Sequence, residues 1–225
     1  METTSLLLPT AYAPPLVYMA LLYTQEGGRV LIEGKEHIVK QSWRNRCDIL
    51  TAQGVQSLTI PIERPNSWRT PIREVLISSH GDWRHQHAQA LCTNYGCSPY
   101  FEYYWDDLRP YYERHYRYLW DYNIELLETL CRLMHIEVEL TATESFTPYG
   151  TYEGEDWRTA LHPRRLDRKH YPMKPSYYQP FGYPEGFVPE LSVYDLLMNK
   201  GPESLLYLRD YAHSLLPKHP LRDEA

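Results

Sequence analysis

Lys40-Gln-Ser-Trp-Arg-Asn-Arg46 sets three cations around one indole in a chain whose formal net charge is −6. Arg44 and Arg46 stand two apart. In an extended strand both would face one side and offer two guanidinium forks to a single phosphate or carboxylate. Trp43 adds a flat wall beside them, and Lys40 a further charge. The competing reading is a solvated pair on a sheet edge, where basic residues discourage strand pairing. A second group of reactive types follows at His80, Arg84, His85 and His87. A neutral imidazole is the usual proton shuttle near pH 7. His87 and His80 are therefore candidate catalytic groups, and Arg84 a candidate substrate contact. His87 also reads as a core histidine satisfied by its neighbours. The H-x-H pair points to different faces of a helix, so no metal site is expected. Thr10 and Tyr12 lie in a loop between a strand and a helix, where ligands of parallel sheets bind and where a helix N-terminus attracts anions. Gln179, with Tyr177 and Tyr178, is a candidate lining residue. The run His162 to His170 carries Arg164, Arg165, Arg168 and Lys169; it reads either as a solvated face or as a lid over an anion. No phosphate loop or dinucleotide fingerprint is present, and no cofactor is predicted.

The elements that must position these groups are partly readable. Ser5 to Leu8 is a short apolar strand. Pro14 and Pro15 suit the first turn of a helix over Leu16 to Tyr23, and Arg29 to Glu33 reads as the next strand. Together they have the size of a βαβ unit. Gln41 to Glu63 reads as a hairpin turning at Gln53-Gly54, with Leu58, Ile60 and Ile62 alternating on the return. Arg73 to Ser78 is a further strand candidate. Trp83, His87, Leu91 and Tyr95 recur every four residues, a helical stripe with Asp82 as its N-cap. A helix follows Pro99 and is interrupted at Pro110. Leu119 to Met134 is the clearest helix, and Ile136 to Leu140 returns as a strand. Thr141 to Gly186 shows no sustained period, and a stretch that long is functional or conceals elements. Ser192 and Asp195 read as a capping box with Leu191 and Leu196 as its staple, which explains Asp195 better than a catalytic role does. Gly201 closes that helix and Pro202 opens the last. The fold class expected is α/β: a single domain over residues 1–225, opening with the βαβ unit and a hairpin and followed by a helical half. An α+β arrangement is the alternative.

Composition sets the outer bounds. A chain of 225 residues with 43% hydrophobic content can bury a core unaided. Its acidity argues against a nucleic-acid partner. The cysteines at 47, 92, 97 and 131 form no metal-type pair and read as reduced thiols. The apolar run from Pro15 to Tyr23 is too short to span a membrane, and no positive leader precedes it. A cytoplasmic protein is expected. The 21 tyrosines read as an aromatic core with wet edges or as a stacking cleft.

Several landmarks, in order, resemble the WbqC-like protein family. They are Leu8-Pro9 through Tyr18, Lys40 to Arg46, Leu58-Thr-Ile-Pro61, Trp83-Arg84 with His87, Pro99-Tyr-Phe101, and Leu191 to Asn199. The opening Q-P-x-Y-L-P-W pattern of the family is altered here to Leu8-Pro-Thr-Ala-Tyr-Ala-Pro14. The resemblance implies a bacterial protein associated with O-antigen and other surface-polysaccharide biosynthesis. It suggests acyl or aminoacyl transfer to an amino sugar, with an anionic small molecule such as a nucleotide sugar as partner. The rival class is a non-catalytic ligand-binding or scaffold protein of an envelope pathway. The site model behind the enzymatic reading expects Arg44, Arg46, His80 and His87 to share one concave pocket. The sequence leaves the oligomeric state open.

Overall fold

A computed structural model describes residues 5–64, 67, 70–164, 176–182 and 186–215. Strand β1 (Leu6–Pro9), helix α1 (Leu16–Tyr23) and strand β2 (Arg29–Glu33) form the expected βαβ unit, with Leu6 opposite Val30 and Pro9 opposite Glu33 in parallel register. Leu6, Leu7 and Leu8 are all buried, so β1 shows the continuous apolar run of a strand covered on both faces. Every residue of α1 from Leu16 to Leu22 is buried. This helix has no polar face because it is enclosed: it packs against two C-terminal helices, α6 (Val193–Lys200) and α7 (Ser204–Leu215).

The sheet extends in both directions from that unit. Strand β5 (Glu139–Ala142) pairs parallel with β2, and the two-residue β6 (Glu155–Asp156) pairs parallel with β1, giving the order β5-β2-β1-β6. The chain moves to one side of β1 for β2 and β5 and to the other for β6. The crevice beyond the carboxyl ends of β1 and β6 is therefore the topological switch point, the usual ligand position of open parallel sheets. A separate antiparallel hairpin joins β3 (Arg46–Thr51) to β4 (Gly54–Thr59). Gly54 takes φ +102°, a value a side chain resists, as it starts the return strand.

The helical half follows. In α2 (Trp83–Tyr95) the stripe Trp83, His87, Leu91 and Tyr95 is the buried face. Helices α3 (Phe101–Leu108) and α4 (Pro110–Glu113) are separated at Arg109, before the proline, and α5 (Leu119–Leu133) buries its leucine face. The α/β class holds.

Three local expectations give way. Ile72 to Glu74 is a 3-10 turn rather than a strand, and beyond it only isolated bridges form, Ile62 with Ile77 and Leu76 with Tyr118. The turn is set by Pro71 (φ −59°) and by Val75 N–H bonding back to the Ile72 carbonyl. Asp82 caps α2 with no side-chain bond. Ser192 does cap α6, accepting from the Tyr194 N–H, but Asp195 does not complete a capping box. The Ser192 N–H goes to the Asp48 carbonyl instead. The Asp195 carboxylate turns inward and accepts from Tyr95, Tyr177 and Gln179 at 3.0, 2.6 and 2.7 Å. Burial pushes its pKa up, and those three donors pull it back.

Candidate functional site

The carboxyl ends of the parallel strands converge on a buried charged network. β2 ends in Glu33, which is fully enclosed and accepts four hydrogen bonds: from the Lys35 and Thr147 backbones, from the Thr143 hydroxyl at 2.6 Å, and from Arg158 at 3.1 Å. Gly34 then lets the chain turn close to Arg73; a Cβ there would meet its Cδ at 2.8 Å. That turn delivers Glu36, also fully buried. Its carboxylate is gripped by Arg44, Nε to Oε1 at 2.8 Å and Nη2 to Oε2. Burial pushes the Glu36 carboxyl above its usual range, and Arg44 opposes that shift.

β6 supplies the other half. Arg158, two residues past the strand, binds Asp156 bidentately, Nε to Oδ1 at 2.9 Å and Nη2 to Oδ2 at 2.6 Å. Its Nη1 donates both to Glu33 and to the Thr147 carbonyl, at 3.1 and 2.7 Å. The guanidinium lies 4.5 Å from the Tyr149 ring centre and 5.8 Å from that of Phe146. Burial works against its charge, but Asp156 and Glu33 outweigh burial and hold its pKa above the ordinary arginine value.

Above this network lies a cavity of about 440 Å³, lined by Val39, Arg44, Tyr149, Arg158, Thr159, His162 and Arg164. The volume is within the range of small-molecule sites. Arg164 reaches across to the Gln41 side chain, tying the rim of one segment to the other. The Nδ1 of His162 accepts the Arg164 backbone N–H at 3.2 Å.

Of the residues singled out from sequence, Arg44 lines this cavity, as do Arg164 and His162 from the run read as a solvated face or a lid. Arg46 does not join it. β3 begins at Arg46, so Arg44 precedes the strand and the two-residue period does not relate them. Arg46 pairs with Asp48 at 3.3 Å and is partly exposed. Trp43 is buried, and its backbone carbonyl accepts the Tyr12 N–H at 2.8 Å. Lys40 is exposed, as is His80, whose backbone N–H bonds the Ser78 hydroxyl. The guanidinium of Arg84 sits 5.6 Å over the Trp83 ring. Thr10 is buried at the end of β1, where the amide of Asn123 donates to it and to the Arg44 carbonyl. Gln179 closes a loop by bonding the Val188 backbone, besides Asp195. Arg165, Arg168 and Lys169 lie outside the described residues.

His87 belongs to a different place. Its Nδ1 is 2.9 Å from the Tyr12 hydroxyl, which in turn lies 3.2 Å from that of Tyr112, and Tyr112 bonds Tyr194 at 2.9 Å. The imidazole is 4% exposed and packs edge-on against Trp83. Burial lowers its pKa to about 4, against a partial counter-effect from its bond to the Thr59 backbone. The expected convergence of Arg44, Arg46, His80 and His87 on one concavity is not what the structure contains. Nor does the N-terminus of α1 stand open to an anion, because the buried Glu190 carboxylate accepts the Val17 N–H at 3.0 Å.

Glu33, Glu36, Tyr149, Asp156 and Arg158 were missed by sequence reasoning. A usable signal existed for two of them: Glu33-Gly-Lys-Glu36 stands at the carboxyl end of a strand recognised as parallel, where ligand sites form. Arg158 carried none, since a strand of two residues has no periodicity to read. Among the described residues no cluster of side chains suits a metal ion, and no helix is long and apolar enough to cross a membrane.

Fold and site together define an open parallel α/β domain with an arginine-walled cavity at its switch point. The chain belongs to the WbqC-like protein family, whose model matches residues 10–172, a span that includes both Arg44 and Arg158. A curated relative, "Uncharacterized protein Rv1507c" of Mycobacterium tuberculosis (strain ATCC 25618 / H37Rv), is 30% identical over 195 residues, covering 76% of this chain and 83% of that protein. No solved structure matches.

Proposed function

We propose that the cavity over Arg44 and Arg158 is the substrate site of a cytoplasmic transferase of surface-polysaccharide biosynthesis, one that moves an acyl or aminoacyl group onto an amino sugar. The observation that carries this reading is its position and wall: a cavity of about 440 Å³ at the β1/β6 switch point, bounded by two buried guanidiniums and one aromatic ring. Tyr149 offers a face for a sugar or base, and Arg44 and Arg164 offer positive charge to an anionic substrate such as a nucleotide sugar. In the transfer the acceptor amine attacks the acyl carbonyl carbon, the bond to the leaving group breaks with its electron pair going to the leaving group, and the proton lost by the amine passes to that departing group. The cavity contributes by holding the two reactants in attack geometry. His87 has no part in this reading, since Tyr12 and the Thr59 backbone occupy it.

The test is product formation, read by mass spectrometry with candidate acyl donors and nucleotide-linked amino sugars supplied together. Thr159→Trp, which fills the cavity from its wall, abolishes product while circular dichroism and thermal unfolding stay those of the wild type. Undiminished turnover in that variant removes the cavity from the mechanism. A non-catalytic binding protein is the second reading, favoured by the enclosure of His87 in the core. It predicts ligand binding that Thr159→Trp blocks, with no product under any pairing.

A further inference from the structure

The two arginines of the cavity differ in what they have left to give. A guanidinium carries five N–H groups in a fixed plane, arranged as a side fork (Nε and Nη2) and an end fork (Nη1 and Nη2). Arg158 has its side fork on Asp156 and both Nη1 hydrogens on Glu33 and Thr147. Four of its five donors are used, and its end fork is blocked. Arg44 spends its side fork on Glu36. Its Nη1 has no hydrogen-bond partner among the described residues, although the residue is only 2% exposed and lines the cavity. A buried guanidinium held rigid from one side and unpartnered on the other is a preformed bidentate receptor.

The charge balance restricts what it receives. Glu33, Glu36 and Asp156 are three carboxylates facing two guanidiniums, Arg44 and Arg158. Arg164 at the rim brings that cluster to neutrality. A diphosphate would place at least two further negative charges against an already neutral wall, at a depth where solvent screens poorly. One negative charge in the plane of the fork matches the geometry and adds the least excess charge to that wall.

We infer that the end fork of Arg44 seats one carboxylate, so that the cavity selects a small carboxylic acid, as a free acyl acid or as a sugar acid, over a phosphorylated ligand. This rests on the cavity being the substrate site. It assigns the fork to a carboxylate-bearing substrate and leaves any nucleotide phosphates outside, toward Arg164.

Isothermal titration of the full chain with D-glucuronate, N-acetylalanine, glucose, glucose 1-phosphate and UDP tests the inference. The two carboxylates separate a sugar acid from an acyl acid. Glucose controls for the ring, and the last two carry phosphate without carboxylate. At least one carboxylate binds more tightly than glucose 1-phosphate or UDP. Because Arg44→Gln alone would strand Glu36, the neutral pair E36Q/R44Q is used, with its fold checked by thermal unfolding. That pair weakens the carboxylate by about 10- to 100-fold, the worth of charge-assisted bonds. Unchanged affinity in a folded E36Q/R44Q protein overturns the inference. So does tighter binding of the phosphorylated probes, though the cavity then remains the substrate site. If no probe of either class binds, or Thr159→Trp leaves binding intact, the site reading falls with it.

Discussion

Two buried polar regions of the molecule behave differently. At the sheet ends, Glu33, Glu36, Arg44, Asp156 and Arg158 form ion pairs at the floor of a cavity. In the core, His87, Tyr12, Tyr112 and Tyr194 form a hydrogen-bonded chain, every member of which is buried. Residue types favour the second as the seat of chemistry, since it holds an imidazole and phenols. Their bonding state favours the first. A side chain acts on a ligand with whatever capacity its own protein has not consumed, and Arg44 combines an open end fork with a wall of the cavity. Burial of a polar group is therefore ambiguous until its partners are counted.

The comparison breaks most visibly at Arg158. Arg158→Met leaves Glu33 and Asp156 enclosed without their cation, a loss of about 3–5 kcal/mol for a broken buried pair. Urea unfolding reads it directly, and a loss under 1 kcal/mol would show that the network relaxes or hydrates. His87 gives the next effect. Its folded pKa of about 4 lies below the ordinary histidine value of 6.5, so the fold holds the neutral ring. Its contribution to stability is full above pH 6.5 and is lost as pH falls toward 4, about 3 kcal/mol in all. His87→Gln flattens the stability–pH curve across that window, and an unaltered slope would place the imidazole in contact with water. Glu190→Ala strips the Val17 N–H and the Tyr211 hydroxyl of their acceptor and costs about 1–3 kcal/mol in chemical denaturation. The smallest effect is expected at Arg46→Ala, which removes a part-exposed ion pair worth less than about 1 kcal/mol. Ligand affinity in that variant stays at the wild-type level, and a large loss would restore Arg46 to the site.

The legibility of each feature followed the range of the interaction that defines it. β1, α1 and β2 are readable because an apolar run, a proline pair and a second apolar run lie within about thirty residues. The buried face of α2 is readable from its four-residue spacing. The role of His87 is not, because its partner Tyr12 is 75 residues away, and only the tertiary contact separates a held imidazole from a working one. Arg44 and Arg46 mislead through a boundary: a one-strand assumption gives them a common face, and a strand starting at Arg46 takes it away. Arg158 and Glu33 are 125 residues apart. Their pairing depends on β6, a two-residue strand inside the segment with no period. Asp195 shows the same limit from the other direction. Its spacing from Ser192 fits a local cap, yet Tyr95 and Tyr177 outcompete the backbone for its carboxylate.

The most direct test of the central claim is a crystal structure with D-glucuronate bound. The account predicts its carboxylate in the plane of the Arg44 guanidinium, about 2.8 Å from Nη1 and Nη2, with Arg158 still held by Asp156 and Glu33. Carboxylate density seated elsewhere, with the Arg44 fork turned away from the cavity or filled by another protein group, would contradict it.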